Sequence, residues 1–379
     1  MENSQTSPSR NLDHTKNSTT TIIFQILSRL PAKSLARFKS VSKLWLSIIS
    51  SKDLKDSFLT QSKTRPHLLF TFKDLDSRKS FFFSASEHQN NEKSSIVIAR
   101  HDIMTISDPG FNITCPPVNG FVCCTRGSRI AVFNPTTGFM LILPHVKANG
   151  REIYARLGYD PVDNQYKVLC VMMLVSCDVH RKYVKQQEHL VLSLTSQFTR
   201  WRKIEITGDP YAYLEGGICI NGAIYYGVGH TKIARFDLRN EKITFIQGPE
   251  DYNAISCYST LTNYKGKLAC VSYDSYCESN MRLWILQDAE KQEWSSIMTC
   301  VLACDKEISL CSGESHTNEV VMVSRCLKSS NHFFVYYFDM IKESIIRRIE
   351  VEIDGIVDYD FRRPRILCFP GHIENLMYF

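Results

Sequence analysis

Residues Thr20–Ser51 read TTIIFQILSRLPAKSLARFKSVSKLWLSIISS, and their apolar side chains recur at helical spacing in three short blocks. Pro31 ends the first block, because proline has no backbone N–H to donate, and Ser42 is suited to cap the third helix. The apolar stripes consist of Ile22, Ile23, Ile26, Leu27 and Leu30, then Leu35 and Phe38, then Val41, Leu44, Trp45, Ile48 and Ile49. Three such helices hold too little apolar surface to be stable alone, so we expect a partner to cover them.

Three interpretations of this segment are open from its spacing. The first is a helical subdomain packed on the rest of the chain, the second is a basic three-helix DNA-binding domain, and the third is a docking module for another protein. Between residues 29 and 55, seven Lys or Arg residues stand against Asp53, and this positive bias suits phosphates. The last helix, however, has Leu44, Trp45 and Ile48 where a recognition helix needs polar side chains to read bases. A basic rim around an apolar stripe better fits a protein with an acidic surface.

The order of residues in this segment closely resembles an F-box, the motif that docks substrate receptors onto the Skp adaptor of SCF-type ubiquitin ligases. The resemblance rests on residues 26–35 (ILSRLPAKSL) and on residues 41–43 (VSK) followed by Trp45. It implies a set of adaptor-binding residues, namely Ile22, Ile26, Leu27, Leu30, Pro31, Leu35, Val41 and Trp45.

Three positions depart from the usual F-box pattern. Ser18 and Thr19 stand where F-boxes usually begin with Leu-Pro, and Gln25 takes a position that is usually acidic. The alternative to a ligase receptor is therefore a protein-binding module that degrades nothing and binds the adaptor weakly.

The composition of the whole chain excludes several classes of protein. Its 379 residues suffice for one large and one small domain, and 44% hydrophobic with 22% charged residues is typical of a globular protein. A net charge of +6 over this length indicates no dedicated nucleic-acid surface. The longest apolar run, Val168–Val175, is far shorter than the roughly 20 residues of a membrane helix. Residues 1–17 are polar, lack the apolar core of a secretory signal, and are expected to form a disordered tail.

Without a secretion signal, we expect the chain in the cytoplasm, the nucleus or both, with its fourteen cysteines as reduced thiols. No Cys-x-x-Cys pair occurs: Cys123 and Cys124 are adjacent, while Cys300, Cys304 and Cys311 are four and seven residues apart. A zinc site would need a second tight pair or a pair of His residues. We therefore expect buried thiols in strands, and neither a metal nor a cofactor.

From Pro66 onward, helical spacing gives way to short β-rich runs bounded by Gly, Asn, Asp or Pro. About 300 residues of such runs exceed an ordinary sandwich, so a repeat is expected. One form recurs: an apolar strand, a polar turn and a second strand, which together predict a β-hairpin. Its five copies begin at Arg129, His189, Lys232, Met281 and His332.

Each hairpin follows another strand that is preceded by a turn. These turns are Asn119-Gly120, residues 160–165, Asn221-Gly222, Lys265-Gly266 and Asn318-Glu319. The copies recur at intervals of 43 to 60 residues, close to the spacing of four-stranded blades in kelch-type propellers. A sixth blade would combine residues 67–105 with residues 365–379, which closes the ring and removes its exposed edges. The predicted fold is a multidomain α+β protein, with a three-helix module at 18–60 and an all-β ring of about six blades at 61–379.

The β-rich part is similar to the plant F-box-associated interaction domain. The matching stretches are residues 117–120 (PVNG), 133–138 (FNPTTG), 143–144 (LP), 157–161 (LGYDP), 166–168 (YKV) and 220–226 (INGAIYY). With the F-box in front, the resemblance covers nearly the whole chain. It implies a substrate-recognition subunit of an SCF-type E3 ubiquitin ligase, whose β-domain binds a target protein for ubiquitination.

The target would bind loops on the rigid ring. The long polar inserts are the expected places, at residues 176–188, 207–217, 274–280 and 326–331.

The sequence contains no nucleophile elbow, P-loop or His-Glu-x-x-His motif. Asp237, Asp288 and Asp339 recur at equivalent hairpin turns, where a carboxylate typically caps the backbone of its own turn. Trp201 and Trp294, in equivalent second strands, fit packing between blades. We therefore expect no catalytic residues and no enzyme activity of the chain's own. The remaining alternative, a propeller enzyme acting on sugars, would need acidic or other reactive residues clustered at one mouth of the ring.

Overall fold

The computed structural model describes most of the chain from Thr20 onward. The described residues are 20–73, 79–87, 95–98, 104–106, 110–113, 115–178, 181–195, 200–206, 216–229, 231–250, 254–255, 259–273, 280–300, 308–324, 332–353 and 366–378. The expected tail at residues 1–17 lies outside them, as do Ser18 and Thr19.

Four helices open the described chain: α1 (residues 20–27), α2 (Ala32–Phe38), α3 (Lys43–Ser50) and α4 (Lys52–Ser62). Pro31 lies directly before α2 with φ −59° and ψ 149°, outside the helical region, so it separates α1 from α2 as expected. The predicted cap of α3 is confirmed, because the Ser42 hydroxyl accepts a hydrogen bond from the Trp45 backbone N–H at 3.2 Å.

The expectation of three helices is incomplete, since α4 is a fourth. Ser51 caps it by accepting a hydrogen bond from the Leu54 N–H at 3.3 Å. Leu54 and Phe58, one turn apart, are the apolar residues that α4 buries. Two buried apolar residues in eleven positions make a stripe too sparse to identify as a core helix from sequence.

Six β-sheets follow the helices and form a six-bladed propeller in the described part of the chain. Blade 1 contains, from the inside outward, β25 (Ile366–His372), β1 (His67–Lys73), β2 (Ser80–Ser86) and β4 (Met104–Ile106). Blade 2 contains β5 (Asn112–Ile113), β6 (Val122–Arg126), β7 (Arg129–Asn134) and β8 (Phe139–Ile142). Blade 3 contains β9 (Glu152–Asp160), β10 (Gln165–Asp178), β11 (Arg181–Leu194) and β12 (Arg202–Ile204).

Blade 4 contains β13 (Ile218–Ile220), β14 (Ala223–Val228), β15 (Lys232–Asp237) and β16 (Lys242–Gln247). Blade 5 contains β17 (Thr260–Tyr264), β18 (Lys267–Tyr273), β19 (Asn280–Asp288) and β20 (Glu293–Cys300). Blade 6 contains β21 (Ile308–Glu314), β22 (Val320–Ser324), β23 (His332–Asp339) and β24 (Ser344–Ile353), with β3 (Ser95–Ile98) added parallel to β24. All five predicted hairpins are confirmed as the third and fourth strands of blades 2 to 6.

The two ends of the propeller pair with each other and close the ring. Strand β25 runs antiparallel to β1, with His372 opposite His67 and Ile366 opposite Phe72. The prediction that a sixth blade combines the first and last β-strands is therefore confirmed. Because these two strands pair, the ring has no gap at this point. An unpaired sheet edge there could pair with another chain.

A separate hydrophobic cluster lies between each pair of adjacent blades. One representative pair from each interface, in ring order from blades 1 and 2 to blades 6 and 1, is Phe82 and Val122, Val132 and Val168, Leu169 and Phe236, Ile233 and Cys270, Leu283 and Met322, Val321 and Leu68. The core is therefore a ring of six inter-blade layers.

The acidic residues at equivalent hairpin turns cap those turns, as predicted. In Asp237, Asp288 and Asp339, one carboxylate oxygen accepts from the backbone N–H groups two and three residues ahead, at 2.8 to 3.1 Å. In Asp339 these hydrogen bonds lower the pKa of the carboxyl, because they favour its charged form. These carboxylates have a structural role at three separate turns.

The two repeat-related tryptophans join neighbouring blades, as predicted. The Trp201 indole N–H donates to the Pro144 carbonyl at 2.8 Å, and the Trp294 indole N–H donates to the Gln247 carbonyl at 2.9 Å. Each acceptor belongs to the preceding blade or follows its last strand. Each ring also packs on the apolar cluster between those blades.

Trp294→Phe keeps an aromatic ring but removes the donor that links blade 5 to blade 4. We expect the free energy of unfolding to fall by about 1 kcal/mol, the usual net value of one hydrogen bond, measured by urea unfolding. Met298→Ala, an exposed change on the same strand, is the control and should cost less than about 0.5 kcal/mol. Equal losses of unfolding free energy in the two variants would show that this hydrogen bond does not stabilise the contact between the blades.

Candidate functional site

The four helices pack around a small core of their own. Leu27 and Leu35, both predicted to bind the adaptor, are completely buried in it beside Ile49 and Phe58. Leu30 and Trp45 are half-buried against the same cluster, and the Trp45 ring meets Phe38 edge-on at 5.0 Å. These four of the eight predicted residues therefore hold the helices together in the free chain.

The other four predicted residues are exposed. Ile22, Ile26 and Val41 expose 55%, 53% and 58% of their surface, and Pro31 is exposed as well. Ile22 and Ile26 are one helical turn apart, so they share one side of α1. Leu44, which the predicted adaptor-binding set omits, is also about half exposed at the start of α3. The helices thus present apolar side chains that their own core does not use.

Positive charge is concentrated on the same module. Residues 20–65 contain nine Lys or Arg and two Asp residues, a net charge of +7. The whole chain has a net charge of +6, so the remaining residues together have a net charge of −1. An acidic partner would be attracted to the helices and not to the ring.

The last residues of the chain lie between the helices and the ring, and we refer to residues 373–378 as the C-terminal segment. Leu376 is buried in the helical core. The Glu374 carboxylate accepts a hydrogen bond from the Ala32 N–H at 3.3 Å, at the start of α2. The Lys55 ammonium lies 5.2 Å from the centre of the Tyr378 ring, within the range of a cation–π interaction.

The same segment is bound to blade 2. The Asn375 side chain is fully buried, and its amide donates to the Asn119 carbonyl at 2.6 Å. The Asn134 side-chain amide donates to the carbonyls of Asn375 and Met377 at 2.9 and 3.2 Å. The Thr136 hydroxyl accepts from the Asn375 N–H at 3.2 Å. No periodicity in the sequence indicates these contacts.

Gly120 allows this close approach. Its φ is +86°, and a Cβ atom there would lie 2.6 Å from the Ile373 carbonyl oxygen and 2.8 Å from Asn375 Cβ. Any larger residue would therefore be strained in its backbone and would displace the C-terminal segment.

The antiparallel meander gives the propeller two distinct faces. The turns at residues 119–120 and 135–138 of blade 2 lie at one end of its strands, beside the C-terminal segment and the helices, and we name this the helix-side face. The turn at residues 127–128 and the connection at 143–151 lie at the opposite end, which we name the far face.

A cleft of about 680 Å³ lies on the far face between blades 2 and 3. Its lining includes Ser128, Arg151 and Tyr154. Gly127 and Gly150 also line it, and a Cβ atom added to either glycine would have no described atom within 4 Å, so these two turns leave the cleft open. Polar side chains surround an accessible concave surface here, which suits binding of another molecule.

A long hairpin stands beside this cleft. The first strand of blade 3 pairs with β10 only as far as Met173, and β12 pairs only with residues 189–191 of β11. Residues 174–178 and 181–186 therefore pair only with each other and extend five residues, about 17 Å, beyond the blade. The Arg151 guanidinium contacts the base of this hairpin, at 3.3 Å from the Gln186 side-chain oxygen.

The expectation of a loop at residues 176–188 is therefore wrong, because most of this polar stretch forms β-strands. A polar composition favours a loop in sequence, whereas pairing across the hairpin provides the hydrogen bonds that make it a strand. The other expected inserts, at 207–217, 274–280 and 326–331, fall outside the described residues except for Gly216, Gly217 and Asn280.

A buried carboxyl group lies on the helix-side face where the chain enters the ring. Glu87 is fully buried, and its backbone N–H donates to the Pro66 carbonyl at 3.2 Å. Burial raises the pKa of the Glu87 carboxyl to about 7. His316 Nδ1 lies 3.3 Å from this carboxylate, and burial lowers the pKa of that imidazole. The local charge therefore changes near neutral pH.

We expect Glu87→Gln to make the protein less sensitive to pH. The pKa of this carboxyl is about 7 when folded and 4.5 in its ordinary state, so its stabilising contribution is complete below pH 4.5 and is lost as pH rises through 7. The melting temperature of the variant should exceed that of the wild type increasingly between pH 5.5 and 8.5. The free-energy difference should reach about 3 kcal/mol at most, since one pKa unit corresponds to about 1.4 kcal/mol. A constant difference in melting temperature between the variant and the wild type from pH 5.5 to 8.5 would contradict this prediction. Glu290→Gln, at an exposed turn, is the control and should not change the pH dependence.

Among the described residues, no helix is long and apolar enough to cross a membrane. Within the same residues, no group of three or more His, Cys, Asp or Glu side chains is arranged to hold a metal ion.

Comparison with known proteins identifies relatives over nearly the full chain. A family profile described as the F-box associated beta propeller domain matches residues 67–373, and one described as the F-box domain matches residues 20–57. F-box protein At1g30790 of Arabidopsis thaliana is 35% identical, covering 93% of this chain and 96% of the relative. F-box protein At1g53790 of the same plant is 36% identical, covering 93% of this chain and 80% of the relative.

Proposed function

Because the chain belongs to the F-box proteins whose F-box is followed by an F-box-associated β-propeller domain, we propose that it is a substrate-recognition subunit of an SCF-type E3 ubiquitin ligase. Its F-box binds a Skp-type adaptor of the cullin-based complex, and its propeller binds a target protein for ubiquitination. The chain acts by holding the target near a ubiquitin-loaded enzyme and has no catalytic residues of its own. We propose that it acts in the cytoplasm, the nucleus or both.

The observation that supports adaptor binding is the exposed apolar surface of a basic F-box. Ile22, Ile26 and Val41 remain more than half exposed although the helices have a complete core of their own. Their burial against a partner would contribute roughly 25 cal/mol per Å² of apolar surface, reduced by the entropy cost of association. The net charge of +7 on residues 20–65 would accelerate encounter with an acidic adaptor surface.

The second candidate is a binding module that does not lead to degradation. Gln25 is exposed on α1 and provides no negative charge where F-boxes usually have an acidic residue. Weak adaptor binding with intact target binding would favour this candidate. The affinity of the wild-type chain for the adaptor distinguishes the two.

Ile26→Asp with Leu44→Asp places charges at two exposed apolar positions, on α1 and α3, without entering the F-box core. We expect affinity for a purified Skp-type adaptor to fall at least tenfold in calorimetric titration, because each carboxylate would be desolvated at the interface. Met298→Asp, an equally exposed change on the propeller, is the matched control and should leave affinity unchanged. Leu35→Asp is unsuitable, since it would unfold the helices. Absence of wild-type binding at micromolar concentrations would refute the ligase role.

For the target we propose the far face of the propeller. The cleft beside Arg151 and the projecting hairpin at residues 174–186 both lie there, on the side opposite the F-box. The hairpin also presents backbone edges that neither β9 nor β12 covers, and such edges can pair with an extended peptide. A target bound on this face would not compete with the adaptor for space.

Replacing residues 174–186 with Asn-Gly would join Met173 to Gln187 through a two-residue turn. We expect this variant to lose specific targets in affinity capture from plant-cell extract, while adaptor affinity and melting temperature stay within error of the wild type. The unchanged adaptor affinity is the internal control. Recovery of the same targets by both proteins would exclude the hairpin as a target-binding element.

A further inference from the structure

We propose that the C-terminal segment, residues 373–378, is a positioning element that fixes the F-box in one orientation on the propeller. The inference rests on the proposed function, because a fixed orientation matters where an adaptor and a target must be held at a defined separation. All residues of the segment except residue 373 lie beyond the match to the propeller family, which ends at that residue.

The F-box and the propeller are joined covalently by one short connection, so a second attachment is needed to fix their orientation. Helix α4 ends at Ser62 and β1 begins at His67, so one connection of four residues joins the two domains. Along this connection, the Arg65 guanidinium contacts the Arg29 carbonyl of the F-box. One short connection alone would let the F-box pivot, whereas two separate attachments define an orientation.

The C-terminal segment binds the two domains through alternate residues. Glu374 and Leu376 contact the F-box, the first at the Ala32 N–H and the second within the helical core. Asn375 and Met377 contact the propeller, the first through the Asn119 carbonyl and the second within the cluster between blades 2 and 3. Within the segment, the Asn375 side-chain oxygen accepts from the Met377 N–H at 2.8 Å, which holds these two residues together on the propeller side. A single segment thereby holds both surfaces together.

The residue at the hairpin turn of blade 2 is suited to this role. Asn134 occupies the position of Asp237, Asp288 and Asp339 in other blades, and its side-chain oxygen likewise caps its turn, accepting from the Thr136 N–H at 2.9 Å. Its amide nitrogen additionally donates to the carbonyls of Asn375 and Met377. A carboxylate could cap the turn but could not donate. The amide therefore serves two functions where its counterparts serve one.

The segment leaves the proposed adaptor surface open. Leu376 enters the buried core of the F-box, whereas Ile22, Ile26 and Val41 are exposed in the presence of the segment. The adaptor and the C-terminal segment can consequently bind the F-box at the same time. An orientation set by the segment would be retained in the ligase complex.

The test uses the full chain and tryptic cleavage after Lys63, in the connection between the domains; the Arg65–Pro66 bond resists trypsin. Asn134→Asp keeps the turn cap and removes the two donors, so we expect cleavage there to be at least tenfold faster. Asp288→Asn, the reverse exchange at the equivalent turn of blade 5, is the matched control and should change the rate less than twofold. Adaptor affinity should stay within twofold of the wild type in both variants. A merely structural role for Asn134 would instead lower the melting temperature without accelerating this cleavage.

A second variant covers the case in which Asn134→Asp destabilises blade 2. Deletion of residues 374–379 leaves that turn intact and should also accelerate cleavage after Lys63 at least tenfold. Cleavage after Lys63 without cleavage after Lys39, Lys43 or Lys52 shows that the F-box itself stays folded. Rates within twofold of the wild type for both variants would overturn the proposal. This readout needs no adaptor, so failure of the ligase role would leave it interpretable.

Discussion

The pairing of β1 with β25 is the interaction on which the arrangement of this protein depends. Because His67 lies opposite His372, the chain enters and leaves the propeller on two adjacent strands of blade 1 and on the same face. The F-box precedes that entry and the C-terminal segment follows that exit. Closing the ring therefore brings the two ends of the described chain together, although more than 300 residues separate them in sequence.

The closed ring also has two different faces. On the helix-side face, the turns of blade 2 contact the C-terminal segment, for example through the hydrogen bond from Asn375 to Asn119, and that segment contacts the F-box. The far face has the open cleft and the projecting hairpin. Since the six inter-blade clusters make the ring rigid, a molecule bound on the far face would lie at a constant distance from one bound to the F-box. This geometry suits a receptor that promotes transfer by proximity alone.

Features fixed by local chemistry could be predicted from the sequence. The Ser42 cap, the turn-capping Asp residues and the five hairpins each depend on residues a few positions apart. Helix α4 could not be predicted, because Leu54 and Phe58 make too sparse a stripe. The hairpin at residues 174–186 could not be distinguished from a loop, because its polar residues gain their structure from pairing with each other. The sequence also could not show which apolar residues of α1 face the core. Ile26 and Leu27 are adjacent and chemically alike, yet Ile26 is exposed and Leu27 is buried.

The F-box illustrates how a small helical module becomes stable while keeping an interface. Three short helices alone would need a partner, and part of the missing core comes from the chain itself, from Leu54 and Phe58 on α4 and from Leu376 at the far end of the sequence. These residues complete the core around Leu27 and Leu35. Ile22, Ile26 and Val41 remain exposed although this core is complete. Their exposure is therefore not a result of incomplete packing. An apolar surface that persists beside a complete core is expected of a binding site.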